Sequence, residues 1–144
     1  MSVDAEKVAE ILGGEEVLYE DVRSSADLQR VVKEGLSVRA LDEAVRYVAG
    51  SGRAARVLRD RLVPRATRAR RTRLSLPESE RVERLARVMA LAEQVWESRD
   101  DAREFLAQPH SMLEGRSPLE MAETELGARR VERLLMNLEY GLPV

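Results

Sequence analysis

The 144-residue chain has 44% hydrophobic but only 3% aromatic side chains, so it can form one helical domain, or two small helical parts, around a shared aliphatic core. The absence of cysteine excludes disulfides and thiolate metal sites, and no long apolar run predicts a membrane span, so we expect a cytoplasmic protein. The net charge of -2 conceals a basic segment at 53–73, with nine arginines and one acid, between two flanks that each have a balance of -5.

The first 52 residues predict three helices. The first covers 4–12 and ends at a pair of glycines, the second covers 26–34 behind Ser24 or Ser25, and the third runs from Ser37 to Gly50. Residues 15–23 fit either a short extended piece or a loop, and the pattern does not choose between them.

Two short helices and one long helix are predicted next. The first short helix covers 53–62, and the second covers 65–73, because Pro64 interrupts one helix and can begin another. The long amphipathic helix covers 78–97. The apolar side chains expected to point inward on the first and the long helix are Val57, Leu58, Leu62, Val82, Leu85, Met89, Ala92 and Trp96.

The last third of the chain predicts three more helices. A short one covers 101–107, and the sequence Ser117-Pro118-Leu119-Glu120 is a capping box that starts a helix reaching about Leu126. Gly127 is expected to allow a bend into a final helix at 128–140, with Gly141 as its cap. The apolar face of that final helix is Val131, Leu134, Leu135 and Leu138.

These residues offer no catalytic centre. His110 is the only histidine, and no cysteine or second histidine can complete a metal site or a nucleophilic dyad with it. No glycine-rich phosphate loop is present. We therefore expect a protein that is not an enzyme, with no cofactor, no metal and no small-molecule substrate.

The two short helices around Pro64 have the pattern of a helix–turn–helix that binds DNA. Its second helix carries Arg65, Thr67, Arg68, Arg70 and Arg71, and arginine pairs well with phosphates and with the edge of guanine. The alternative is a solvated arginine-rich helix that pairs with acids of the helix after Ser37. From the residues alone the two interpretations carry about equal weight.

The chain resembles the antitoxins of the Xre–RES toxin–antitoxin systems, the Xre/MbcA/ParS toxin-binding family, from about Ser25 to its end. The strongest segments are LSLPESERVERLARVMALA at 74–92 and GRSPLEMAETELGARRVERLLMNLEYG at 115–141. The positions that match the family pattern are Glu78, Ser79, Arg81, Arg84, Leu85, Ala86, Phe105, Leu106, Pro109, Leu113, Gly115, Pro118, Leu119, Thr124, Gly127, Val131, Leu134, Leu135 and Gly141.

The resemblance implies an all-α protein in two parts, which follow an N-terminal extension that the resemblance does not cover. Residues 1–24 would be an N-terminal extension, 25–97 an Xre-like helix–turn–helix region, and 98–144 a toxin-binding domain. The implied partner is a RES-domain toxin that consumes NAD⁺, whose active site the antitoxin occludes. The implied protein is a homodimer that binds operator DNA and represses its own operon.

The end of the chain is the expected plug for the toxin's active site. The candidate toxin-binding residues are Arg129, Arg130, Glu132, Arg133, Glu139, Tyr140, Gly141, Leu142, Pro143 and Val144. The tail can equally fold back on the core or fray. Two functional alternatives remain open, a helix–turn–helix regulator without a toxin partner and a helical enzyme of unknown type.

Overall fold

A computed structural model describes residues 4–141, and the predicted all-α fold is confirmed within that range. The described residues form ten α-helices and one short 3-10 helix, with isolated bridges in place of strands. The helices are α1 Ala5–Ile11, α2 Gly14–Leu18, α3 Ser25–Glu34, α4 Val38–Ala49, α5 Arg53–Leu62, α6 Arg65–Arg70, α7 Leu76–Trp96, α8 Arg99–Ala107, α9 Pro118–Met121 and α10 Glu125–Glu139, with the 3-10 helix at Ser111–Leu113.

Helix α7 is the centre of the molecule. Its 21 residues span about 31 Å at 1.5 Å per residue. Helices α1, α3, α4 and α5 pack against it from the first half of the chain, and α8 and α10 from the second. The buried side chains form one continuous cluster, almost entirely aliphatic. Both halves of the chain therefore share a single hydrophobic core.

Polar side chains at the helix starts confirm most of the predicted boundaries. The hydroxyls of Ser24, Ser37 and Ser117 each accept a hydrogen bond from a backbone N–H three residues ahead. Helix α7 begins two residues earlier than predicted, because Ser75 and Glu78 form a second capping box around Pro77.

Three expectations for the N-terminal half are wrong. The segment at 15–23 was expected to be extended or a loop, but α2 occupies its first part. Val57 points to solvent instead of inward, because α5 buries Ala55 and Leu62, and Val57 lies about 200° around the helix from Ala55. Helix α6 ends at Arg70 and not at residue 73, because residues 72–74 pair with the backbone of 36–38.

Three expectations for the C-terminal half are also wrong. The predicted helix from 118 to about 126 ends at Met121, and α10 begins at Glu125 behind a Thr124 cap, so Gly127 lies inside the first turn of α10 and makes no bend. Trp96 is exposed, since it ends α7 and its ring lies 5.7 Å from that of Phe105 at the surface. Leu138 is half-buried, because the packed part of α10 ends at Leu135.

Candidate partner-binding surfaces

The position of α10 is set by its close contact with the end of α9. Thr124 accepts a hydrogen bond from the N–H of Gly127 at 3.0 Å, so α10 begins at Glu125 and only three residues separate it from the end of α9. A Cβ atom on Gly127 would lie only 1.7 Å from the carbonyl oxygen of Met121. The two backbones therefore meet at a point where only glycine fits.

Two arginines of α7 hold this junction from the other side. The guanidinium of Arg84 donates to the free carbonyl groups of Ala122 and Glu123, at 3.2 and 3.0 Å, where α9 ends. Arg87 contacts Glu125 at 3.2 Å and Glu132 at 2.8 Å, both on α10. Polar contacts thus fix the direction of α10 in addition to its apolar packing on α7.

Arg87 also contacts Glu83 of its own helix, at 3.3 Å. Burial raises the pKa of Glu83, and the nearby carboxylates of Glu125 and Glu132 act in the same direction against the attraction of Arg87. Glu132, predicted to bind a partner, is committed to this internal cluster, with its side chain only 24% exposed. It is consequently not available as a free surface carboxylate.

The side of α10 that faces away from α7 carries an exposed mixture of apolar and basic side chains. We call Leu126, Arg129, Arg133 and Tyr140 the outer face of α10. At 100° per residue these four positions fall within about 60° of arc. Leu126 is 72% and Tyr140 63% exposed, so two large apolar groups stand at the two ends of a basic strip.

The two basic residues of the outer face form few polar contacts within the described chain. Arg129 lies 3.9 Å from Glu125, a surface pair of small energetic value. Arg133 is exposed and has no hydrogen bond or ion pair within residues 4–141. Leu126 was missed by the sequence reasoning, which placed it at the end of a helix before a bend. Its position off the buried stripe of α10 becomes visible only once α10 is known to begin at Glu125.

The remaining C-terminal candidates differ in their surroundings. Arg130 donates to both carboxylate oxygens of Glu114, at 2.8 and 2.6 Å, and to the carbonyl of Met112 at 3.1 Å. These hydrogen bonds hold the pKa of Glu114 below its ordinary value. Glu139 and Gly141 are exposed. The predicted residues Leu142, Pro143 and Val144 lie outside the described part of the chain.

The five residues that were predicted to bind DNA divide into two groups. Arg65 and Arg70 are exposed and have no polar partner among the described residues, and Thr67 is half-buried. Arg68 is only 14% exposed, because its guanidinium donates to the carboxylate of Asp60 at 2.8 Å and to the carbonyl of Val63 at 2.7 Å. Arg68 therefore fastens the turn between α5 and α6.

Arg71 fastens the other end of α6. Its guanidinium donates to both oxygens of Glu78, at 2.9 and 2.7 Å, and Glu78 is in turn part of the cap of α7. Burial opposes ionisation of Glu78, but hydrogen bonds from Ser75 and Arg71 outweigh it and hold its pKa below the ordinary value. Since α6 itself has no buried residue, these two arginines are its main attachments.

Two arginines of α5 were not among the DNA-binding residues predicted from the sequence. Arg53 and Arg56 are exposed, and neither has a polar partner in the part of the chain that the structure describes. Their spacing of three residues on a predicted helix was the available signal. The free arginines of the basic segment thus lie on both helices of the predicted helix–turn–helix.

Residues 4–141 offer neither a cluster of metal ligands nor a helix that could span a membrane. No three histidine, cysteine, aspartate or glutamate side chains are arranged there to hold a metal ion. None of the helices in this range combines the length and apolar character needed to cross a bilayer.

The C-terminal part of the chain is similar to a known protein family. Residues 91–141 match the family described as the antitoxin Xre/MbcA/ParS C-terminal toxin-binding domain. Over 89 residues the chain is 33% identical to a protein of Pseudomonas putida named Antitoxin Xre, and the match covers 59% of this chain and 56% of that protein. The chain thus spans little more than half the length of this relative. The matched domain contains all of α8, α9 and α10 and the end of α7.

Proposed function

We propose that the chain is an Xre-type antitoxin that neutralises a RES-domain toxin that consumes NAD⁺, because residues 91–141 match the C-terminal toxin-binding domain of these antitoxins. The observation that carries the proposal is the outer face of α10. It lies within the matched domain, and it exposes two large apolar side chains beside Arg129, whose one ion pair is a 3.9 Å surface contact, and Arg133, which has no polar partner within residues 4–141.

The composition of this face suits a protein partner. Tyrosine and arginine are enriched at the centres of protein interfaces, where burial of an apolar body is combined with directed hydrogen bonds. An isolated exposed leucine needs no explanation, but Leu126 and Tyr140 frame a continuous strip. We expect the toxin to offer carboxylates to Arg129 and Arg133 and apolar recesses to Leu126 and Tyr140.

The end of the chain would then act as the plug. Helix α10 ends beside Tyr140, so the residues that follow can enter a cleft that the outer face borders. Inhibition in this scheme is steric and electrostatic. Glu139 would face toxin groups that otherwise hold the phosphates of NAD⁺, and this chain would make or break no bond.

The test is co-expression with a RES-domain toxin, scored by growth and cellular NAD⁺, together with measurement of the toxin's affinity for purified variants. The double variant R133E/Y140A reverses one charge and removes one apolar anchor on the outer face, and each hot-spot loss is worth about 2 kcal/mol or more. We expect its affinity for the toxin to fall at least about 100-fold, because about 1.4 kcal/mol corresponds to a factor of ten.

The matched control is R39E, which reverses an exposed arginine of α4 that has no polar partner within the described residues. It should bind and protect like the parent. Deleting residues 142–144 should weaken protection while the melting temperature stays unchanged. Full protection by R133E/Y140A would remove the outer face from the interface, and full protection by the truncated chain would remove the plug.

We also propose that the chain binds operator DNA, as a homodimer, and so regulates its own operon. Arg65, Thr67 and Arg70 of α6 would contact the DNA, while Arg68 and Arg71 would hold α6 in position for them. In this proposal residues 25–97 contact DNA and residues 98–144 contact the toxin. Residues 1–24 are an N-terminal extension. A homodimer suits two operator half-sites one DNA turn apart, about 34–36 Å.

Salt dependence tests this assignment. Each phosphate contact adds about 0.9 to the slope of log affinity against log salt, so R65A/R70A should lower that slope by about 2 without changing the melting temperature. R39A is the control for loss of charge. An unchanged slope would refute the contacts. Affinity for DNA with no affinity for any RES-domain toxin would favour a regulator without a toxin partner.

A further inference from the structure

Helices α4 and α5 form a helix–turn–helix pair of their own, in addition to the pair α5 and α6 around Pro64. Helix α4 ends at Ala49 and α5 begins at Arg53, so the turn between them is Gly50-Ser51-Gly52. A turn of three or four residues that often contains glycine is typical of this motif. Glycine is favoured at position 50, because its φ of +77° is a conformation that residues with a side chain rarely adopt.

Helix α5 is anchored by buried side chains, whereas α6 is not. Ala55 is fully buried and Leu62 is nearly so, and the carboxylate of Asp42 on α4 lies 3.3 Å from the guanidinium of Arg59 on α5. No residue of α6 is buried. Side chains that recognise a ligand by its geometry need a rigid support, and α5 is the more rigid of the two helices in this sense.

The first two turns of α5 present two free arginines and an exposed valine on one face. Arg53 and Arg56 are exposed and have no polar partner within residues 4–141, and Val57 beside them is 49% exposed. At 100° per residue these three positions fall within about 100° of arc. The next residue on this face is Asp60, which is paired with Arg68 and has no ion pair with Arg56. The face is therefore basic at its N-terminal end.

We propose that α5, and not α6, enters the major groove and reads base pairs there, an inference that rests on the DNA binding proposed above. In a helix–turn–helix the N-terminal residues of the second helix contact base edges, and with α4 as the first helix Arg53, Arg56 and Val57 occupy that position. Arginine donates to O6 and N7 of guanine, and an apolar side chain contacts the methyl group of thymine. Arg65 and Arg70 of α6 contact phosphates in this arrangement, which adds affinity but no sequence information.

The test begins with duplexes that the full chain selects from a pool with a randomised centre. In copies of the selected duplex, 7-deazaguanine replaces guanine and so removes N7, and uracil replaces thymine and so removes the methyl group. For the parent chain we expect at least one 7-deazaguanine to weaken binding about tenfold and at least one uracil to weaken it about fourfold. R53A/R56A should no longer respond to 7-deazaguanine, and V57S should no longer respond to uracil.

The matched control is R65A/R70A, which removes two exposed arginines of α6 and should lower the affinity for every duplex alike. Both double variants and V57S should melt like the parent, because the side chains are exposed and the arginines have no polar partner among the described residues. Parent-like responses in R53A/R56A and V57S, loss of both responses in R65A/R70A, or parent binding without sequence preference would overturn the assignment to α5 and leave DNA binding itself in place. Failure of the parent to bind any duplex would overturn both.

Discussion

Replacing Gly127 with alanine isolates the contact that positions α10. Alanine is the better helix former by about 1 kcal/mol, so helix propensity alone predicts a more stable protein. In the folded chain the added Cβ would meet the carbonyl oxygen of Met121 at 1.7 Å. Since an ordinary contact is 3.4 Å or longer, the ends of α9 and α10 must move apart by a further 1.7 Å.

That movement has two costs. Over-packing of this kind typically costs about 1–3 kcal/mol. The hydrogen bonds from Arg84 to the carbonyls of Ala122 and Glu123 would also be broken, at about 0.5–1.5 kcal/mol each. After the gain in helix propensity is subtracted, we expect G127A to lower the free energy of unfolding by about 3 kcal/mol.

Urea denaturation followed by far-ultraviolet circular dichroism measures this change. R129A, an exposed substitution on the same helix, is the control and should stay within about 0.5 kcal/mol of the parent. Helix propensity predicts that G127A is more stable than the parent, and the contact with Met121 predicts that it is less stable, so the sign of the change decides between them. A stability equal to or above that of the parent would show that α9 does not approach α10 as described.

The other predictions concern α7 and α6. Leu85 is 4% exposed, and L85A should lower the free energy of unfolding by about 2–5 kcal/mol, whereas a melting temperature within a degree of the parent's would show that the side chain is not in the core. Because the pKa of Glu78 is lowered by folding, its stabilisation is present above the ordinary value of 4.5 and is lost as the pH falls through the folded value. E78Q should therefore be about 1–3 kcal/mol less stable than the parent at pH 7, and this difference in the free energy of unfolding should shrink as the pH falls below 4.5; a difference that is constant with pH would contradict the lowered pKa of Glu78. R68A should lower the free energy of unfolding by about 1–3 kcal/mol, because it leaves Asp60 and the Val63 carbonyl unpaired, while R65A should be neutral. Equal melting temperatures of the two variants would argue against a stabilising role for the Arg68 hydrogen bonds.

Local patterns were sufficient where a helix boundary depends on neighbouring residues. Ser37 and Ser117 cap helices as predicted, and Ser24 is the cap of the two serines that the sequence offered for α3, because each hydrogen bond closes over three residues and needs nothing from the rest of the chain. The buried stripe of α7 from Val82 to Ala92 was predicted for a similar reason, since a repeat of three and four residues identifies one face of a helix.

The candidate surfaces were predicted only in part. Arg133 and Tyr140 were expected at the surface and are exposed there, but Glu132 belongs to the internal cluster of Arg87. Arg68 and Arg71 share a segment with Arg65 and Arg70, and composition cannot separate the two pairs. What separates them is the position of Asp60 and Glu78 in the fold.

By itself the sequence determined the helical class, most helix starts and the aliphatic core, since these follow from propensity, capping and periodicity over a few residues. The tertiary structure alone decided which arginines are free. With 24 bases and 26 acids in the chain, partners such as Arg87 and Glu132, 45 residues apart, are selected by how helices pack and not by their spacing. The same is true of Gly127, whose lack of a side chain matters because another helix ends against it.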